Sequence, residues 1–334
     1  MEYRRMGRTG LKVSEICLGT MTFGRSADEV EADRIVGACR DAGVNFFDTA
    51  NSYNGGLSET MLGKALGANR RSAVIASKVF NPMGPGPNDS GLSRAHIMHA
   101  VEDSLRRLGT DYLDLYYVHH VDVQTPLDEM LRAMDDLVRQ GKVRYPAVSN
   151  FEAWRLMEAL WTSDSRNLAR FECYQPQYSL VVRDIEEEIV PACELKGLGV
   201  VAWAPLAGGF LSGKYQPGQS RVEGTRSAEG WAFPDRYFHP DRDSILTALL
   251  EAADHLGRSA VQVALRWVLD QPFITSAIVG ARNAAQIAGS LGAAGWRLPD
   301  DVCARLSTVS HLPHRYPRAM EVDMVQRRDA AVKP

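Results

Sequence analysis

Short apolar runs alternate with amphipathic stretches of helical spacing along most of the chain. Eight runs have strand character: Glu15–Gly19, Asn45–Thr49, Val74–Lys78, Asp114–His119, Arg144–Ser149, Glu172–Gln175, Val200–Ala204 and Ala277–Gly280. Several are apolar at nearly every position, as in Val200-Val201-Ala202-Trp203-Ala204. Strands buried on both faces of a helix-covered parallel sheet have this pattern. Between them the spacing predicts helices over Asp28–Cys39, Ser58–Leu66, Ser93–Leu108, Pro126–Gln140, Ala153–Leu160 and Asp184–Leu195. In the fourth, Leu127, Met130, Leu131, Met134, Leu137 and Val138 share one face, between a first-turn Pro126 and a terminal Gly141. Ser93 is placed to cap its helix. Ahead of the series, Tyr3–Met6 and Lys12–Val13 flank a turn at Gly7–Gly10 and predict a hairpin.

Strands alternating with helices imply βαβ units and a parallel sheet. Eight in one series predict an α/β fold, a single (β/α)8 TIM barrel over residues 1–334 with a tail after about 311. An open doubly wound sheet is the other arrangement that the alternation allows. Two long loops would stand at the C-terminal face. One is the Pro/Gly-rich Asn81–Gly91. The other, Tyr215–Pro240, carries Trp231, Phe233, Tyr237 and Phe238 and predicts a lid.

Composition narrows the class. Lys and Arg number 38 against 41 Asp and Glu, for a formal charge of −3. That leaves no basic field for a phosphate backbone, so nucleic acid is not the expected partner. The five cysteines are scattered without a C-x-x-C pair, which predicts reduced thiols in a cytoplasmic protein and no zinc site. The first residues lack the apolar core of a signal peptide, and no apolar stretch is long enough to span a bilayer. A small-molecule partner is expected, with a homo-oligomer possible in principle.

In a barrel of this kind the chemistry sits at the C-terminal ends of the strands. There the sequence places Asp48 with Tyr53 beyond it, Lys78, His119-His120, Ser149-Asn150, Gln175 and Trp203. A phenol with its ordinary pKa of about 10 is a weak acid at neutrality. A Lys78 ammonium beside Tyr53 would lower that value. Asp48 would hold Lys78 charged, and His119 would bond the phenol or a substrate oxygen. Any one such residue is ordinarily just solvated or internally satisfied. It is the joint placement that points to a proton donor aimed at an oxygen on which charge develops. His119 and His120 are adjacent on a predicted strand and would face opposite sides.

These residues lie in a recognisable order. Arg8-Thr9-Gly10-Leu11-Lys12-Val13-Ser14, Leu18-Gly19-Thr20-Met21, the run Asn45 to Tyr53, the run Leu105 to Tyr116, Val148-Ser149-Asn150-Phe151 and Gly280-Ala281-Arg282 together resemble the aldo-keto reductase superfamily. The resemblance covers essentially the whole chain. Its branch resembles bacterial reductases related to aryl-alcohol dehydrogenases and to potassium-channel beta subunits. It implies a barrel that binds NADP(H) and interconverts an aldehyde or ketone with its alcohol. Tyr53 would be the general acid, completed by Asp48, Lys78 and His119. Ser149, Asn150 and Gln175 would bond the nicotinamide carboxamide, Trp203 would stack on the ring, and Gly19, Thr20, Met21, Asp48 and Ala204 would add contacts. Pro205, Leu206, Gly208, Lys214, Ser220 and Arg221 would follow the diphosphate. Gly280, Arg282, Gln286 and Ser290 would hold the adenosine end, with Arg282 on the 2′-phosphate. Phe23, Asn51, Phe80, His120 and Trp231, together with Met21, would shape a pocket for a bulky, cyclic, aryl or sugar-like carbonyl.

Two departures bear on the cofactor. Pro146 removes a donor from a barrel strand, and a bulge there would shift Ser149 or Asn150. Gly289-Ser290 replaces the acidic–amide pair usual near the adenine. The same resemblance leaves two other readings: a regulatory, nicotinamide-sensing protein, in which the histidine position can hold another residue, and an enzyme running mainly as an alcohol dehydrogenase. Gly208 to Tyr215 is close to a P-loop, but Tyr215 stands where a Mg²⁺-binding hydroxyl belongs. Gly84-Pro85-Gly86-Pro87 is no dinucleotide fingerprint. His96, His99, His311 and His314 lack metal-site companions.

Overall fold

The computed structural model describes residues 1–219, 237 and 242–331. A hairpin of β1 (Tyr3–Arg5) and β2 (Lys12–Ser14) precedes a closed parallel barrel. Its strands are β3 (Ile16–Gly19), β4 (Phe46–Asp48), β5 (Val74–Val79), β6 (Leu113–Val118), β7 (Val143–Ser149), β8 (Cys173–Gln175), β9 (Gly199–Ala202) and β10 (Ile274–Val279). The connecting helices are α1 (Glu29–Asp41), α2 (Leu57–Leu66), α3 (Arg94–Leu108), α4 (Leu127–Arg139), α5 (Ala153–Arg166) and α6 (Ile189–Lys196). Then come α7 (Asp243–His255) and α8 (Ala260–Leu269) before β10, and α9 (Ala284–Leu291), α10 (Asp300–Val309) and α11 (Arg318–Ala331) after it. The strands adjoin in chain order and β10 closes on β3, so the fold is the (β/α)8 barrel and not the open sheet.

Local chemistry sets the helix ends. The Ser93 hydroxyl accepts from the His96 N–H at 3.2 Å, and α3 stops at Gly109 with φ +63°. The expected helix from Asp184 divides into a 3-10 turn, Asp184–Glu186, and α6. Pro191 is the reason. It has no N–H to give and is tolerated in the first turn of α6, not in the interior of a longer helix.

Two cores result from a period of two along the strands. Cys17, Phe46, Ala76, Leu115, Tyr117, Ala147, Cys173 and Val201 pack inside the barrel. Their neighbours Leu18, Phe47, Ile75, Tyr116, Val148, Tyr174 and Ala202 pack outward under the helices. The hairpin plugs the lower end, where Met6 and Val13 join the inner core. Gly7 makes this approach possible. Its φ is +51°, and a Cβ there would lie 2.4 Å from the Gly197 carbonyl oxygen. Two steps above Phe46, Ala76, Ala147, Cys173 and Val201 the same alternation turns Asp48, Lys78, Ser149, Gln175 and Trp203 toward the upper mouth.

Two local expectations are corrected. Pro146 causes no bulge: Tyr116 pairs with Pro146, Tyr117 with Ala147 and Val118 with Val148 in one register, and Ser149 still pairs with Gln175. The Pro146 carbonyl accepts from the Glu172 N–H at 3.0 Å, so the absent donor lies on the side of the short β8. β6 ends at Val118, one residue earlier than expected. The alternation therefore lapses at His119 and His120. Their rings stack at 4.6 Å and 14° rather than facing opposite sides.

Candidate active site

Asp48 closes β4 and Lys78 lies near the end of β5, both wholly inside the barrel top (2% and 0% exposed). The Lys78 ammonium has three protons and three partners. It donates to Asp48 Oδ1, to the Thr49 carbonyl at 2.7 Å and to Tyr53 Oη at 3.4 Å. Burial works to lower the Lys78 pKa, but Asp48 and Tyr53 outweigh it and hold the ammonium charged. Burial pushes Asp48 up, opposed by Lys78 and by Gln175, whose amide Nε2 donates to Asp48 Oδ2 at 2.8 Å.

Tyr53, half-buried on a 3-10 turn after β4, presents its hydroxyl to this pair. Burial raises its pKa, and Lys78 only partly opposes that. The expected net lowering by Lys78 is thus corrected: removing water from around a phenolate costs more here than one already paired ammonium returns. The His119 ring stands edge-on to Tyr53 with centroids 6.1 Å apart. Burial, Lys78 and His120 hold this imidazole well below its ordinary pKa, so it is neutral.

Beside these groups lie Ser149, Asn150, Gln175 and Trp203. Ser149 Oγ donates to the Gln175 carbonyl at 2.8 Å. Asn150, at φ +60°, donates its amide to the His119 carbonyl at 3.0 Å and accepts from Trp203 Nε1 at 3.2 Å. Their donors are mostly spent within the protein, and what remains is chiefly acceptor capacity. That suits the NH₂ of a primary carboxamide. Trp203 is partly exposed at the mouth. Beyond it, Ala204, Ala207, Gly208 and Gly209 all take positive φ, which turns the chain sharply past Pro205 and Leu206. Exposed Lys214 follows.

Across the barrel, Gly280 follows β10 and leads to α9. The Arg282 N–H bonds Gln286 Oε1 at 2.9 Å, and Asn283 caps the helix on the Gln286 N–H at 2.9 Å. Ser290 is buried and donates to the Gln286 carbonyl at 3.2 Å. The Ala284 N–H is taken by the Glu31 carboxylate of α1 at 2.6 Å.

Some expected contacts lie below the surface. Phe23 has no exposed area and belongs to the core, so it lines no pocket here. Asn51 is likewise wholly buried, and neither side-chain amide atom has a partner. Gly19 and Thr20 are also buried, with the Thr20 hydroxyl on the Asp48 carbonyl at 3.1 Å and on Ser58. Met21 is exposed, and Phe80 is partly so, edge-on to His120 at 5.3 Å. Ser220, Arg221, Trp231, Phe233 and Phe238 lie outside the described residues. Tyr237 is buried and accepts from Gln177.

Two further residues of the mouth are not marked by the strand pattern: Asn81, which bridges Ser52 and His119, and Glu31. Asn81 lies three residues past Lys78, so a search of each strand end carried slightly further would have met it. Glu31 gave no local signal, because its contact with α9 spans 253 residues. Among the described residues no group of three His, Cys, Asp or Glu side chains is arranged to hold a metal. Among them, too, no helix is long and apolar enough to cross a membrane.

The fold and this mouth have counterparts. Residues 15–311 match the model of the Aldo/keto reductase family. The chain is 41% identical over 320 residues to an uncharacterized oxidoreductase, YrpG, of Bacillus subtilis, covering 92% of this chain and 96% of that protein. It is 38% identical over 293 residues to a probable voltage-gated potassium channel subunit beta of Arabidopsis thaliana, covering 86% and 89%. A putative subunit of the same description from Schizosaccharomyces pombe is 35% identical over 295 residues, covering 85% and 86%. The chain belongs to the aldo/keto reductase family, which supports an oxidoreductase acting between carbonyl and alcohol.

Proposed function

We propose that this protein is an NADP(H)-dependent carbonyl reductase in which Tyr53 delivers the proton to the substrate oxygen. The observation that carries the reading is the saturated Lys78, which anchors the phenol on a buried ion pair beside a neutral imidazole. When bound, a reduced nicotinamide supplies the hydride that the protein itself lacks. Ser149, Asn150 and Gln175 would hold its carboxamide through their remaining acceptors, and Trp203 would cover the ring. Gly208 and Lys214 would border the diphosphate, with Arg282 and Gln286 at the adenosine end. Tyr53 and His119 would donate hydrogen bonds to the carbonyl oxygen and stabilise the charge that grows there. Lys78 and Asp48 hold the phenol in place and its donor outward. Phe80 and His120, set edge to face, would form an aromatic wall for an aryl, cyclic or sugar-like carbonyl.

The channel-subunit relatives favour a second reading, a nicotinamide-binding regulator. His119 argues for turnover, since it adds a second donor at the reacting oxygen. The purified protein, given NADPH and a panel of aryl and cyclic aldehydes and ketones, separates the two. NADPH consumed in step with alcohol formed supports the reductase. Tight NADPH binding with no consumption across the panel would favour the regulator.

A further inference from the structure

Asn81 is absorbed by neither the barrel core nor the contacts assigned above. It stands at the start of the Pro/Gly-rich loop after β5, between the loops that follow β4 and β6. Its Nδ2 lies 3.2 Å from Ser52 Oγ and 3.3 Å from His119 Nδ1. Ser52 is the residue immediately before Tyr53. One amide nitrogen with two protons thus meets two acceptors, one from each neighbouring loop.

The loop is built to hold this placement. The Gly91 N–H closes it on the Phe80 carbonyl at 2.7 Å, and the Met83 N–H bonds the Asp89 carbonyl at 2.9 Å. The Asp89 carboxylate accepts from the Gly86 N–H at 2.8 Å. Phe80, next to Asn81, takes φ +156°, a conformation that L-residues rarely adopt and that persists only where surroundings enforce it. Pro82 further restricts the backbone of Asn81.

A neutral imidazole carries its proton on one nitrogen, and the partner of the other nitrogen decides which. Building on the reductase reading, we infer that Asn81 is a positioning residue that donates to His119 Nδ1 and so keeps the proton on Nε2, the nitrogen left to face the substrate oxygen. The opposite tautomer would turn a lone pair toward an oxygen gaining negative charge. Inverting the amide, with Oδ1 accepting from Ser52 and from an Nδ1–H, would enforce that unproductive form. The groups facing the ring are Asn81, Tyr53, Lys78 and His120. Lys78 and His120 both disfavour a second proton on it.

The test is ¹⁵N NMR of histidine-labelled protein at neutral pH, with His119 assigned by loss of its signals in His119→Gln. The wild type is expected in the Nε2–H form. Asn81→Asp, whose carboxylate accepts but cannot donate, is expected to move His119 to the Nδ1–H form. The same variant should lower kcat on the order of 10- to 100-fold, as expected for reversing a hydrogen bond to a charged group, with the Kd for NADPH unchanged. Asn81→Ala should give a mixed tautomer signal and a smaller loss. An Nδ1–H signature in the wild type, or an Asn81→Asp variant that keeps the Nε2–H form or full kcat, would overturn the assignment. The NMR result is read without turnover. A wild type that reduces no carbonyl would therefore overturn the reductase reading separately from the tautomer.

Discussion

Tyr53 and His119 are both held in their neutral forms, the phenol by a raised pKa and the imidazole by a lowered one. Burial keeps the phenol protonated above its ordinary pKa of about 10, and it keeps the imidazole neutral well below about 6.5. Raising the pH therefore ionises Tyr53 only above the ordinary phenol range, and lowering it protonates His119 only below the ordinary imidazole range. We expect kcat/KM for carbonyl reduction to stay level from about pH 6.5 to 10, the interval between those ordinary values. A limb centred near about pH 6.5, the ordinary histidine value, would show that His119 titrates as if exposed and would contradict the site described here.

At the level of elements, the loop after β9 and the N-terminus of α9 would divide the cofactor between them. Arg282 suits a 2′-phosphate, yet the neighbouring Ala284 N–H already holds the Glu31 carboxylate. An anion at a helix N-terminus competes with any other anion brought there. Arg282→Ala should raise the KM for NADPH far more than that for NADH. Glu31→Gln should do the reverse, improving NADPH by roughly 2- to 5-fold, since a charge near a helix terminus contributes about 0.3–1 kcal/mol. Steady-state kinetics with both cofactors checks this. Equal effects on the two would remove the 2′-phosphate from this end of the barrel.

Taken whole, the barrel was legible in the sequence because its strands leave apolar runs, several of them ending on a polar residue. Phe46 to Asp48 and Val74 to Lys78 carry both, whereas Val200 to Ala204 carries the apolar run alone. The positions of Asp48, Lys78, Gln175 and Trp203 followed from the same alternation. What the sequence did not reveal depends on where regular structure stops or on distant partners. The stacking of His119 on His120 depends on β6 ending at Val118. The burial of Phe23 and Asn51 depends on turns whose shape no period describes. The balance of burial against Lys78 at Tyr53 is a property of the closed barrel and not of the phenol's neighbours in sequence.

The central claim is that Tyr53 is the proton donor, and Tyr53→Phe isolates it. Removing Lys78 or Asp48 would break a buried ion pair at about 3–5 kcal/mol, a large share of the about 5–15 kcal/mol that holds a domain folded, and would confuse folding with chemistry. Deleting the hydroxyl of the half-buried Tyr53 leaves that ion pair in place. The measurement is single-turnover reduction of a carbonyl by protein preloaded with NADPH, with cofactor binding followed by tryptophan fluorescence. We expect an unchanged Kd for NADPH and a reduction rate lower by about 10²- to 10⁴-fold, the usual contribution of a positioned general acid. Reduction at the wild-type rate would contradict it.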